Sequence, residues 1–138
     1  MVKQIFVNLA VKDLQKSIEF FTQLGFTFNP QFTDENATCM IMGENIFAML
    51  MVEHRFKDFT KKEIIDAKKQ VQVLNALSVG SREEVDALLD KALAAGATEP
   101  MPLQDYGWMY SRDIEDLDGH VWEVFYMDEK AAAEADKK

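Results

Sequence analysis

Short apolar runs alternate with amphipathic stretches along the first half of the chain. The apolar run Ile5–Val11 predicts a strand, and Asp13 is a typical N-cap for the helix that follows it. The apolar face of that helix ends before Gly25, a common helix stop, and comprises Leu14, Ile18, Phe21 and Leu24. Three further strands are predicted at residues 26–32, 38–42 and 46–52. The first half therefore predicts a strand, a helix and three strands.

The second half repeats this order. Residues 71–79 predict a strand, and Ser81 with Glu84 forms a capping box that opens a helix ending near Gly96. The inner face of this helix contains Val85, Leu88, Leu89 and Ala92. Extended segments are predicted at residues 98–101, 109–114 and 121–127. Leu9 and Val11 match Leu77 and Val79, and residues 45–48 match residues 120–123, so one module occurs twice.

This repeat predicts one domain of the α+β class, built from two βαβββ modules over residues 1–128. Module one covers about residues 3–58, and module two covers about residues 71–128. Between them, Thr60 and Glu63 form a second capping box, which predicts a short linker helix over residues 60–70. Residues 129–138 have little to bury and are expected to form a frayed polar tail.

Composition narrows the class of protein. A chain of 138 residues with 48% hydrophobic residues can fill a core, and its net charge of −9 argues against a nucleic-acid partner. The N-terminal apolar stretch Ile5–Val11 is too short for a membrane span and does not have the form of a signal peptide. The only cysteine, Cys39, lies beside the apolar residues 40–42 and has no adjacent basic partner, which indicates a packed thiol rather than a nucleophile. We therefore predict a cytoplasmic protein without a membrane partner.

Glu123 is the first candidate functional residue, because it lies in the middle of the apolar run Val121–Met127. A buried carboxylate requires a cation, hydrogen-bond donors, a proton or water. Alternation places Val121, Glu123 and Phe125 on one side of this strand, the candidate site, and Trp122 with Val124 on the other, the candidate core. Glu123 is either a polar anchor for a ligand or a structural acceptor for Arg112 or for Tyr and Trp donors.

For the other candidate residues, a functional role must be weighed against a purely structural one. Asn8 interrupts the first strand, which is unusual unless its amide is used. Tyr106 and Trp108 flank Gly107 and form either a stacking wall for a planar ligand or an amphipathic edge. His120 is better explained by its turn than by catalysis, and His54 by the polar end of a strand. Four methionines alternate along two strands and either fill the core or line an adaptable cleft or dimer seam: Met40, Met42, Met49 and Met51.

The segments VNLAVKDLQKSIEFFTQLGF and EDLDGHVWEVF, together with the duplicated module, resemble the vicinal oxygen chelate superfamily. That superfamily includes glyoxalase I, extradiol dioxygenases and bleomycin-resistance proteins. The segment DYGWMYSRDIEDLDGHVWEVFYMD resembles a bacterial subgroup that is described only as glyoxalase-like or dioxygenase-like. The resemblance implies curved mixed sheets with helices on the convex face and a concave cleft, in a homodimer of small chains.

Metal-using members of this superfamily take four ligands, one from the first and one from the last strand of each module. The resemblance transfers these positions to Phe6, Ala48, Leu74 and Glu123. Of the four, only Glu123 has a side chain that can coordinate a metal ion. We therefore expect no metal cofactor, although a weakly held divalent ion at Glu123 stays an alternative.

The resulting hypothesis is a protein that binds a small, partly apolar molecule in a concave cleft. The cleft residues would be Phe6, Asn8, Ala48, Leu50, Leu74, Tyr106, Trp108, Glu123 and Phe125. One alternative is a metal-dependent lyase of the glyoxalase I type, or a dioxygenase, that uses Glu123 as ligand or base. The other alternative is an interaction module without a small ligand.

Overall fold

The computed structural model describes residues 1–136, which fall into two compact units divided between Asp66 and Ala67. Each unit contains one four-stranded mixed sheet and one long helix, in the order strand, helix and three strands. The α+β class and the two βαβββ modules predicted from the sequence are thus confirmed.

The first unit has the sheet order β1-β4-β3-β2, in which β1 and β4 are parallel. Its elements are β1 (Ile5–Val11), α1 (Leu14–Gln23), β2 (Thr27–Asn29), β3 (Ala37–Gly43), β4 (Ile46–Val52) and α2 (Glu53–Phe56), with 3-10 turns at Pro30–Phe32 and Lys57–Phe59.

The second unit has the equivalent order β5-β8-β7-β6, in which β5 and β8 are parallel. Its elements are β5 (Leu74–Ser78), α3 (Arg82–Ala94), β6 (Gln104–Asp105), β7 (Met109–Glu115), β8 (Val121–Met127) and α4 (Glu129–Asp136).

Both long helices begin at the predicted caps. The Asp13 side chain accepts a hydrogen bond from the Lys16 amide at 3.1 Å, and Ser81 accepts one from the Glu84 amide at 3.1 Å. The Glu84 carboxylate in turn accepts from the Gly80 amide at 2.6 Å. These contacts satisfy amides that have no partner within the first helical turn.

Three predicted strands are shorter in the structure. The strand predicted at residues 71–79 is limited to β5, Leu74–Ser78. β2 ends at Asn29, because the Asn29 side chain accepts from the Gln31 amide and Pro30 begins a 3-10 turn. Residues 98–101 form only an isolated bridge between Thr98 and Glu115. Pro100 lacks the amide hydrogen that a longer ladder would need.

The predicted linker helix at residues 60–70 is wrong. The Thr60 hydroxyl accepts from the Lys62 amide at 3.1 Å, which closes a local turn instead of a capping box, and no helix follows. The segment is mostly lysine and other polar residues, so a helix there would bury little. The helix lies earlier, at Glu53–Phe56, so His54 is an exposed helical residue and not the end of a strand.

The expectation of a frayed tail is also wrong for residues 129–136, which form α4. Asp128 caps this helix, because its carboxylate accepts from the Ala131 amide at 3.1 Å. Three consecutive alanines after Lys130 add high helix propensity. Residues 137 and 138 of the predicted tail lie outside the described part of the chain.

The core of each unit lies between its long helix and one face of its sheet. In the first unit, Phe20 and Phe21 of α1 are buried together with Val11 and Leu50 of the strands. In the second unit, the buried residues are Val85, Leu89 and Ala92 of α3 with Ile114, Trp122 and Val124 of the strands. We call the opposite sheet face of each unit its helix-distal face. Among residues 1–136, no helix has the length and apolar character required to cross a membrane.

Candidate functional site

Strand register determines which side chains share each helix-distal face. In the first unit, Phe6 pairs with Phe47, and Asn8 pairs with Met49. In the second unit, Leu74 pairs with Val121, and Ala76 pairs with Glu123. Phe6 and Leu74 occupy equivalent positions before the two helix caps. Met49 is therefore the counterpart of Glu123 in the internal repeat.

This register corrects two predicted cleft residues. Ala48 and Leu50 lie on the helix-facing side of β4 and have 0% and 1% exposure, so assigning them to a ligand cleft was wrong. A shift of one residue moves every side chain of a strand to the other face. The error arose from the unequal turns: two residues, Glu44 and Asn45, join β3 to β4, whereas five residues, 116–120, join β7 to β8.

The helix-distal face of the first unit is aromatic and apolar. The Phe6 and Phe47 rings stack with centroids 4.8 Å apart and planes 11° apart, and Phe6 is 43% exposed. The Asn8 amide donates to the Phe6 carbonyl oxygen at 3.3 Å, so part of its hydrogen-bonding capacity is used locally. Phe6 and Asn8 thus share a face, because side chains two residues apart on a strand point the same way.

The four methionines do not share one face. Met40 pairs with Ala48 and is completely buried on the helix-facing side, whereas Met49 and Met51 lie on the helix-distal side of β4. Cys39 pairs with Met49 and is buried, and burial raises the pKa of its thiol. A buried thiol with a raised pKa is a packing group rather than a nucleophile.

The helix-distal face of the second unit contains a pair of carboxylates. Glu123 on β8 is the direct cross-strand partner of Asp113 on β7, and both side chains are half-buried. Burial is the main reason that the pKa of Asp113 is raised, and the negative charges of Glu123 and Glu99 raise it further. Val121 and Phe125 precede and follow Glu123 on the same face. The site therefore combines two acids with apolar neighbours.

Within residues 1–136, the Glu123 carboxylate accepts no hydrogen bond. The donors that could have made it a structural acceptor lie on the other sheet face. Arg112 binds Asp86 at 2.9 Å and Glu99 at 3.0 and 3.1 Å, and the Tyr110 hydroxyl also donates to Asp86, at 2.7 Å. Arg112 therefore does not bind Glu123, which argues against the interpretation of Glu123 as a structural acceptor for Arg112.

Sequence reasoning missed Asp113. It lies in the charged segment Arg112–Asp116, where other acidic residues follow it, so nothing in the local sequence distinguishes it. Its importance comes from the antiparallel register of β7 with β8. The available signal was the alternation Ser111, Asp113 and Glu115, which marks one polar side of β7.

The turn before β8 is organised by Asp116, which is buried at 8% exposure. Its carboxylate accepts from the backbone amides of Asp118 and His120, both at 3.0 Å, and from the Trp122 indole nitrogen at 2.9 Å. Burial raises the pKa of this carboxyl group. His120 thus belongs to a built turn, in agreement with its structural interpretation.

Tyr106 and Trp108 lie at the tip of the β6–β7 hairpin. Their rings stack with centroids 6.0 Å apart, and Tyr106 is 55% exposed. The Tyr106 amide donates to the Met109 carbonyl at 2.9 Å, and Gly107 has φ of +81° at the first central position. A positive φ there is typical of tight hairpins. The Asp128 amide donates to the Trp108 carbonyl at 2.8 Å, so the tip lies at the end of β8.

The residues present do not fit the metal site of metal-using relatives. With the corrected register, the four positions are Phe6, Met49, Leu74 and Glu123. Phe6 and Leu74 have no donor atom, and a thioether is a poor ligand for a hard divalent ion. In the described chain, no three His, Cys, Asp or Glu side chains lie close enough together to share a metal.

Two βαβββ modules, each with a sheet face turned away from its long helix, define the class of protein. The chain belongs to the glyoxalase/bleomycin resistance protein/dioxygenase superfamily, whose family model matches residues 3–124. No curated protein sequence matches it significantly.

Solved structures show the same fold. The hypothetical protein SA1046 from S. aureus is 28% identical, with a TM-score of 0.77 over 91% of this chain and 95% of that one. A glyoxalase-related enzyme from Fulvimarina pelagi is 20% identical, with a TM-score of 0.76 over 91% and 88%. A glyoxalase/bleomycin resistance protein/dioxygenase family enzyme from Burkholderia phytofirmans PsJN is 19% identical, with a TM-score of 0.73 over 88% and 96%.

Proposed function

We propose that the chain binds a small, partly apolar molecule carrying a positive charge, without a metal, on the helix-distal face of its second unit. The observation that carries this proposal is the cross-strand pair of Asp113 and Glu123. Like charges placed directly opposite each other destabilise a sheet, so a cationic group between them would relieve a cost already present in the fold.

The neighbours of the pair support a ligand that is apolar beyond its charged group. Phe125 is two residues from Glu123 on the same side of β8, and Met127 pairs with Met109 two residues further on. This row leads toward the hairpin that carries Tyr106 and Trp108. We propose that the charged group binds at the acids and that the apolar part lies along Phe125 toward the hairpin.

The test is a thermal-shift screen of aromatic amines and amidines, each with an uncharged compound of the same shape. We expect charged compounds to raise the melting temperature, and expect Glu123→Gln and Asp113→Asn to remove the shift. Glu35→Gln is the control, because Glu35 is an exposed acid of the other unit. A screen in which no compound acts would contradict the proposal and favour an interaction module without a small ligand.

A lyase or dioxygenase activity is the second candidate. Its support is the position of Asp113, whose pKa is raised mainly by burial, directly opposite Glu123, since a carboxyl group with a perturbed pKa suits general acid–base chemistry. Glu123 would act as the base. Unchanged turnover of an identified substrate by Glu123→Gln would exclude that role.

We also propose that the chain is a cytoplasmic homodimer. Exposed apolar side chains on the edge strands support self-association: Ile5 and Phe6 on β1, and Leu74 on β5. Light scattering should give about twice the 15.8 kDa chain mass at micromolar concentration. A monomer mass there would contradict the proposed dimer.

A further inference from the structure

The hairpin that carries Tyr106 and Trp108 has little backbone pairing of its own. β6 is only two residues long and pairs with β7 at Gln104–Ser111 and Asp105–Tyr110. Residues 99–103 before it form no strand and are exposed. So short a ladder does not by itself hold a hairpin in one conformation.

Arg82, the first residue of α3, supplies the missing contacts. Its guanidinium donates to both Asp105 carboxylate oxygens, at 2.8 and 3.0 Å, and to the Gly107 carbonyl oxygen at 3.0 Å. The same group lies 5.0 Å from the centroid of the Tyr110 ring. A bidentate, stacked guanidinium has a defined geometry that a lysine cannot reproduce.

Asp105 connects this contact to the hairpin tip. Its carboxylate also accepts from the Gly107 amide at 2.9 Å, so one side chain binds both Arg82 and the turn. Tyr106 lies between these two anchored residues, and its ring stacks on Trp108. Fixing Asp105 and Gly107 therefore fixes the backbone that presents both rings.

We propose that Arg82 is a positioning residue, a latch that holds the hairpin of residues 104–109 against the start of α3 and keeps the Tyr106–Trp108 ring pair in one geometry for ligand contact. The ligand-contact part of this inference rests on the proposed function. The latch itself rests on the contacts of Arg82 and is testable without any ligand.

The first experiment is amide hydrogen exchange of ligand-free Arg82→Gln and Arg82→Lys. We expect the amides of Tyr106, Gly107 and Asp128 to exchange roughly five- to tenfold faster in Arg82→Gln, with a smaller effect in Arg82→Lys. Exchange in β8 should not change. Arg55→Gln is the matched control, because Arg55 pairs with Asp58 at 3.2 Å and lies 5.2 Å from the Phe59 ring centroid in the other unit. Unchanged exchange at Gly107 would overturn the latch.

The pKa of Asp105 is a second test of the latch, because a loss of packing alone would not change it. The hydrogen bond from Arg82, followed by that from the Gly107 amide, lowers the pKa of Asp105 to about 2 from its ordinary 3.8. A carboxyl NMR titration should show this pKa moving toward 3.8 in Arg82→Gln. An unmoved Asp105 pKa would show that the contact is absent in solution and would overturn the latch.

For any compound found in the screen, Arg82→Gln and Tyr106→Ala should both weaken binding, mainly through faster dissociation. A compound whose affinity depends on Tyr106 but not on Arg82 would overturn the positioning role. A screen without a binding compound contradicts the proposed function alone, because hydrogen exchange and titration still decide whether the latch exists.

Discussion

Asp113 and Glu123 are direct cross-strand partners in the antiparallel pair of β7 and β8. Side chains in such positions have Cβ atoms about 5 Å apart, so two carboxylates there repel each other. By contrast, Asp86, Glu99, Asp105 and Asp116 all accept hydrogen bonds from named donors. The helix-distal face of the second unit thus keeps an electrostatic cost that the helix-facing side avoids.

This relationship predicts that removing one charge stabilises the protein. Glu123→Gln should raise the free energy of unfolding at neutral pH by about 0.5 kcal/mol, within the range known for cross-strand pairs. Urea unfolding of the variant, with Glu35→Gln as the charge-matched control, measures the effect. A loss of more than about 1 kcal/mol would mean that Glu123 is structural.

The pH dependence follows from the raised pKa of Asp113. A carboxyl group with a higher pKa in the folded than in the unfolded chain favours folding when protonated. Its destabilising effect is therefore absent below the unfolded pKa near 3.8 and is complete above the folded pKa. Carboxyl NMR should find Asp113 titrating above 3.8, and Glu123→Gln should lower that pKa only in part, because burial is the larger cause. A full return to 3.8 would show that repulsion dominates.

Much of the fold could be predicted from local sequence. The strands Ile5–Val11 and Val121–Met127 have the predicted bounds, because each is an apolar run ended by residues that favour turns. The register of β4 could not be predicted in this way, since it depends on pairing with β1 and on a turn shorter than that before β8. Asp113 was missed for the same reason, because a cross-strand partner is a property of the sheet and not of the sequence around it.

The corrected register predicts opposite outcomes at two adjacent positions. Ala48→Glu should destabilise the protein by roughly 3–5 kcal/mol, because it buries an unpaired charge. Met49→Glu places the same group on the helix-distal face and should cost only about 1 kcal/mol. Thermal unfolding of the two variants measures the two losses of stability. Equal losses, or a larger loss for Met49→Glu, would contradict the pairing of Phe6 with Phe47.

Alanine substitutions at Gly119 and Gly25 should differ in their cost to stability. A Cβ atom at Gly119 would lie 2.6 Å from the Lys68 amide nitrogen, and φ is +94°. Gly25 has a similar φ of +98°, but a Cβ atom there would have no heavy atom within 4 Å beyond its chain neighbours. The change Gly25→Ala therefore measures the cost of the positive φ without a steric clash. We expect Gly25→Ala to cost about 1–2 kcal/mol. Gly119→Ala should cost clearly more, because the Ala67–Lys68 backbone must also move. Similar unfolding midpoints for the two variants would show that residues 67–68 do not pack on this turn.

The last prediction concerns metal binding. Metal-using relatives carry ligands at four positions, which in this chain are Phe6, Met49, Leu74 and Glu123. Glu123 is the only carboxylate among them, and a single carboxylate holds a divalent ion weakly. Protein purified without chelator, incubated with Ni, Zn, Mn or Fe(II) under argon and desalted should therefore retain far less than one equivalent of metal. Glu123→Gln, treated identically, should retain the same amount. Near-stoichiometric metal in the unaltered protein that Glu123→Gln loses would reverse the proposal, and glyoxalase and dioxygenase assays should then follow.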